Sequence, residues 1–96
     1  MLVLVTYDVA TADKEGQRRL QKVAKKCQDY GLRVQNSVFE CNVSMESFVR
    51  LKSELAGLID QSTDSLRFYF LGNNWEHRIE HIGAKPVTPM DAPLIL

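Results

Sequence analysis

The first eight residues, Met-Leu-Val-Leu-Val-Thr-Tyr-Asp, run unbroken through apolar and β-branched side chains and stop at the carboxylate of Asp8. Such a run reads as a central β-strand that delivers Asp8 to the edge of a sheet. Alternate side chains of a strand face opposite sides. Val3, Val5 and Tyr7 therefore share one face, and Leu2, Leu4 and Thr6 share the other. Both faces are apolar, whereas a sheet with helices on one side only would alternate apolar with polar residues. The second face needs a cover, and in a chain of 96 residues the expected cover is a second copy of the protein. A chain of this length buries only about 60–65% of its unfolded surface, so self-association adds burial that a single copy lacks.

The remaining elements follow in a regular order. A polar loop after Asp8 leads into a helix, with Asp13 or Thr11 as its N-cap. Leu20, Val23, Ala24 and Cys27 fall at i, i+3, i+4 and i+7 on one stripe, opposite Arg18, Lys22, Lys25 and Lys26, and Gly31 reads as the terminator. Residues 32–43 read as extended, with a turn or bulge near Asn36-Ser37. Ser44 caps a second helix that carries Phe48, Leu51, Leu55, Leu58 and Ile59 at helical spacing. Ser65–Leu71 reads as a strand with Leu66, Phe68 and Phe70 on one face and Tyr69 and Leu71 on the other. The order βαββαβ predicts an α+β, ferredoxin-like sandwich. The whole chain, 1–96, is expected to be one domain, of which about 73–96 is a C-terminal arm. That arm holds an extended run at 78–82, prolines at 86, 89 and 93, and an apolar end, Leu94-Ile-Leu96. It reads as an extra strand added to a sheet edge, on the partner subunit of a homodimer.

Composition narrows the function classes. With 45% hydrophobic and 25% charged residues, the chain is an ordinary soluble globular protein. Its apolar start is far shorter than the roughly 20 residues of a membrane span, and it lacks the basic lead and small-residue cleavage site of a signal peptide. Cys27 and Cys41 fit a reducing cytoplasm as small buried hydrophobes. The twelve basic residues balance the twelve acidic ones, so the total charge gives no reason to expect nucleic acid. Its distribution does: residues 14–33 hold seven basic residues against two acidic, and the remainder holds five against ten. An excess of five positive charges on one helical segment is the footprint that phosphate backbones select.

There is no glycine-rich phosphate loop, nucleophile elbow or HExxH motif. His77 and His81 lie in an extended run, where residues four apart stand about 13 Å from each other, too far to chelate one ion. If the chain is a nuclease, Asp8 is its metal-ligand candidate. A lone Asp at a strand end more often closes a turn than binds metal. Mg²⁺, however, is held by one or two carboxylates together with waters and substrate phosphate, and two copies of Asp8 meeting across a two-fold axis would supply a pair. No histidine stands near Asp8 in sequence to act as general base.

Strand-terminal Tyr7-Asp8, the basic helix with Arg18-Arg19, the run Tyr-Gly-Leu-Arg-Val-Gln-Asn-Ser-Val-Phe-Glu at 30–40, and Ser65–Leu71 together resemble the CRISPR-associated protein 2 family, and the tail from His81 to Leu96 resembles one subgroup of it. The resemblance implies a ferredoxin-like homodimer whose C-terminal strand completes the partner's sheet. It also implies a metal-dependent endonuclease, with Mg²⁺ or Mn²⁺, cutting single-stranded RNA or double-stranded DNA. The family's dimer further bridges two dimers of the CRISPR-associated protein 1 integrase in spacer acquisition. Asp8 matches the family's metal-binding, catalytic aspartate. Arg18 or Arg19, together with Arg33 and Phe39, match positions tied to nucleic-acid contact or activity, with Tyr7 and Ser37 beside them. The loop between Asp8 and Arg18 leaves open which arginine takes the family role. Lys22, Lys25 and Lys26 extend the expected nucleic-acid surface. Two rivals use the same residues: a non-catalytic adaptor that holds duplex DNA by its phosphates, and a toxin-type ribonuclease on the same fold.

Overall fold

A computed structural model describes residues 1–71 and 78–84. In chain order these form β1 (Leu2–Asp8), α1 (Lys14–Gln28), β2 (Leu32–Gln35), β3 (Val38–Asn42), α2 (Met45–Leu58), β4 (Ser65–Leu71) and β5 (Arg78–Gly83). The strands make one sheet in the order β2-β3-β1-β4-β5, antiparallel at every pairing. The first four strands and two helices are the expected ferredoxin-like arrangement, with β1 at the centre. The extended run at 78–82 is present as β5, paired with β4 of its own chain. The prolines and the apolar end of the arm lie outside the described residues.

Local chemistry sets the element ends. Asp13 caps α1, its carboxylate accepting from the Gly16 N–H at 2.8 Å. Ser44 caps α2 in the same way, accepting from the Ser47 N–H at 3.1 Å. Gly31 does not serve as a left-handed terminator, because the sole positive φ among the described residues is at Gly83, 117°. Its role is close packing: a Cβ there would lie 2.3 Å from the Glu40 carbonyl oxygen and 2.6 Å from the Cys41 sulfur. The β2–β3 hairpin turns at Asn36-Ser37, and its register shifts between Arg33 and Gln35, so the expected turn and bulge both occur.

Both helices cover the same face of the sheet. Val3, Val5 and Tyr7 of β1, Phe39 and Cys41 of β3, and Leu66 and Phe68 of β4 form one core with Val23 and Cys27 of α1 and Phe48, Leu51 and Leu55 of α2. Phe48 packs edge-on against Phe68 and Phe70, with ring centroids 5.4 and 4.9 Å away. Among the described residues nothing covers the opposite face. Leu2, Leu4 and Thr6 are half-buried, and Leu32 is 73% exposed. Cross-strand register aligns Glu40, Leu4, Tyr69 and Ile79 in one row of this face, and Val38, Thr6, Arg67 and His81 in the next. Among the described residues no helix is long and apolar enough to cross a membrane.

Candidate functional site

β1 runs outward from the centre of the sheet and ends at Asp8, which is exposed and pairs across the ladder with Ser65 at the start of β4. Asp8 lines a hollow of about 180 Å³ together with Thr6, Tyr7, Ser65 and Arg67. The β2–β3 turn is latched to this end of β1. The Tyr7 N–H donates to the Ser37 carbonyl at 3.1 Å, and the Tyr7 hydroxyl donates to the Asn36 carbonyl at 3.2 Å. Ser37 is thereby held beside the strand end through its backbone.

Asp8 offers the hard oxygen donor that Mg²⁺ or Mn²⁺ takes. Among the described residues no group of three His, Cys, Asp or Glu side chains is placed to hold a metal ion, so the donor set around Asp8 would suit only a cation that keeps most of its waters.

Arg33, Phe39 and Tyr7 form a separate group. By strand alternation they belong to the helix-covered face, opposite to Asp8. Phe39 is fully buried and stacks against Tyr7 with ring centroids 6.1 Å apart. It is thus a core residue and not a base-stacking platform. The exposed Arg33 guanidinium lies over the outer face of the Phe39 ring, 5.1 Å from its centroid. Burial raises the pKa of the Tyr7 phenol, with Cys27 adding to the rise and Arg33 opposing it. Tyr7 is accordingly a protonated donor to Asn36 near neutral pH.

The basic helix divides as well. Lys14, Arg18, Lys22 and Lys25 are exposed and recur at i, i+4, i+8 and i+11, a row about 16 Å long at 1.5 Å per residue. Lys26 leaves the row and sits 3.8 Å from Glu54 of α2. Arg19 turns inward: its Nε donates to Asp64 Oδ2 at 2.8 Å and its Nη2 to Oδ1 at 3.5 Å. Arg18 is therefore the arginine open to a ligand, and Arg19 braces the fold.

Two residues of the site region, Asp64 and Arg67, lie outside the sequence reading, and a third, His81, was read there only as part of an extended run. Asp64 is fully buried, and no local pattern marks it, since its polar loop looks solvated. Arg67 comes to the Asp8 hollow through the β1–β4 register. His81 stands opposite Arg67 on β5 and shares the face of Asp8, although 73 positions separate it from Asp8 in sequence.

The family described as CRISPR associated protein Cas2 matches residues 1–79. The CRISPR-associated endonuclease Cas2 of Halalkalibacterium halodurans is 59% identical over 95 residues, covering 99% of each chain. The CRISPR-associated endoribonuclease Cas2 3 of Rhodospirillum rubrum is 56% identical over 95 residues, covering 99% of this chain and all of that one. The crystal structure of Streptococcus pyogenes Cas2 superposes with a TM-score of 0.72 at 60% identity, over 78% of this chain and 90% of that one. With a family match across most of the chain and full-length relatives above half identity, the protein belongs to the CRISPR-associated protein Cas2 family.

Proposed function

We propose that the protein is a cytoplasmic, metal-dependent endonuclease of CRISPR defence that acts as a homodimer in spacer acquisition and cuts phosphodiester bonds of single-stranded RNA or double-stranded DNA. The observation that carries this reading is the position of Asp8, an exposed carboxylate at the end of the central strand, beside an apolar sheet face that has no cover among the described residues. Packing two such faces about a two-fold axis buries Leu2, Leu4, Tyr69 and Leu71 and brings the two Asp8 carboxylates together. The relatives' names, endonuclease and endoribonuclease, support the same chemistry.

In that assembly the two Asp8 carboxylates would hold Mg²⁺ or Mn²⁺, which would supply polarisation of a phosphoryl oxygen and a coordinated water of lowered pKa. The exposed row Arg18, Lys22 and Lys25 binds backbone phosphates away from the reacting centre, and Arg33, steadied on Phe39, adds a further cation. Apolar surface closed around the axis excludes bulk water and strengthens these contacts.

One observation favours a second reading. The basic row lies on the helix layer, whereas Asp8 faces the open side of the sheet, so duplex can lie along α1 without reaching Asp8. That geometry suits a DNA-holding adaptor for the CRISPR-associated protein 1 integrase. Cleavage of labelled single-stranded RNA and double-stranded DNA, with Mg²⁺ or chelator, separates the two readings when an Asp8→Asn protein is purified identically. We expect metal-dependent cutting that falls by roughly a hundredfold or more in Asp8→Asn, the scale at which removal of a charge-stabilising group acts. Equal cutting by both proteins, or none by either, would leave the adaptor as the function.

A further inference from the structure

Among the described residues, Arg67 is the one cationic side chain that the strand register places on the open face of the sheet. It stands between Thr6 of β1 and His81 of β5, in the row next to Asp8, Ser65 and Gly83. It lines the same hollow as Asp8. Asp8 and Arg67 are diagonal neighbours on adjacent antiparallel strands, a relation that sets Cα atoms about 7–8 Å apart. The hollow of about 180 Å³ is several times the roughly 30 Å³ that one water occupies in the liquid.

Among the described residues this guanidinium enters no direct ion pair, and the carboxylate that shares its hollow is Asp8. Ion pairs among the described residues join Arg19 to Asp64, Lys26 to Glu54 and Lys52 to Glu80, and Arg67 enters none of them. Its β5 neighbour carries no negative charge. Burial, and then the nearby Arg67 charge, push the His81 pKa below its ordinary value, and the buried His81 Nε2 has no hydrogen-bond partner among the described residues. Arg67 is half-buried on a face that a second copy would cover, and a covered guanidinium without an anion is strongly destabilising. A phosphate oxygen entering the hollow would add a second anion to Asp8 within reach of this guanidinium.

We propose that Arg67 is a phosphate-binding residue of the Asp8 site, taking non-bridging oxygens of the nucleic-acid backbone within the hollow. The proposal rests on the endonuclease reading of that same site and adds the group that grips its substrate. A guanidinium presents parallel donors that match two phosphate oxygens, and it stabilises the charge that gathers on them as the phosphodiester reacts. No bond is made or broken at Arg67. In a two-fold dimer each copy contributes one such arginine beside the paired carboxylates.

The test is binding of a labelled single-stranded RNA by the full-length protein in chelator, across a salt series, with dimer state followed by light scattering. Arg67→Gln is expected to weaken binding about five- to tenfold and to reduce the salt slope by about 0.7, the share of one single-strand phosphate contact. Arg67→Lys keeps the slope. His81→Gln binds like the unaltered protein, whereas His81→Glu behaves like Arg67→Gln because its carboxylate captures the guanidinium. An unchanged slope in Arg67→Gln would overturn the proposal. So would a loss of dimer together with binding in Arg67→Gln while His81→Glu binds normally, because Arg67 would then serve only to neutralise the Asp8 pair. Cleavage with Mg²⁺, run in parallel, tests the endonuclease reading separately. Arg67-dependent binding without cleavage sinks that reading and keeps the phosphate site, and cleavage with Arg67-independent binding does the reverse.

Discussion

Asp64 ties three segments together at the end of the sheet. Its carboxylate accepts from the Ala10 N–H after β1, from Arg19 of α1, and from the Asp60 N–H and Thr63 hydroxyl of the loop before β4. Burial pushes the Asp64 pKa up, but the Arg19 guanidinium and the N–H groups of Asp60 and Ala10 outweigh it and hold the group below the usual carboxylate range. A depressed carboxylate pKa stabilises the fold above the unfolded value near 4, and that stabilisation is lost as pH falls through the folded value. Urea unfolding of the native protein should therefore weaken steeply on acidification from about pH 5 to about pH 2. Asp64→Asn should begin about 2–3 kcal/mol less stable at pH 7, with donors left poorly matched, and should change less over the acid window. Equal acid sensitivity in the two proteins would remove Asp64 from this role. The sequence shows Arg18 and Arg19 as equals because nothing local separates them. A helix turns about 100° per residue, which sends one to solvent and the other to a carboxylate 45 positions away in sequence. The resemblance points Phe39 toward nucleic acid, but an apolar strand position takes the core by default, and Phe39 is fully buried.

At the scale of elements, β1 and α1 are the parts most fully written in the sequence. β1 is a continuous apolar run at the sheet centre, and α1 has a sharp apolar stripe with a basic row opposite. Three cations of the row, Arg18, Lys22 and Lys25, are exposed, so they can be exchanged without disturbing the core. Reversing all three to Glu should leave the circular dichroism spectrum unchanged and reduce the salt slope of duplex DNA binding by about 3, near 0.9 for each lost phosphate contact. An unaltered slope would move duplex binding off α1. The β4–β5 pairing was much less legible. The run at 78–82 has neither period nor length to mark its partner, and only the ladder sets His81 beside Arg67 and therefore near Asp8. Gly31 misled for a related reason: its glycine serves contact with β3 and not the helix end.

At the scale of the whole molecule, the proposed dimer would close the sheet face left open among the described residues. Leu4 sits between Glu40 and Tyr69 at the middle of that face, so a charge there blocks two-fold packing while sparing the helix-covered core. Leu4→Asp should run as a folded monomer by light scattering and lose metal-dependent cutting together with the dimer. The apolar second face of β1 was readable from eight residues because strand alternation exposes it directly. The partner that covers it is a property of two chains, and no pattern within one chain writes the register between them. The central claim is that the two Asp8 carboxylates make a single site, and the most direct measurement uses a heterodimer. One subunit carries Asp8→Asn, the other is unaltered, and tandem affinity tags isolate the mixed species. A shared site predicts that the heterodimer cuts no better than the Asp8→Asn homodimer. Cutting at about half the rate of the native dimer, as two independent sites would give, would contradict it.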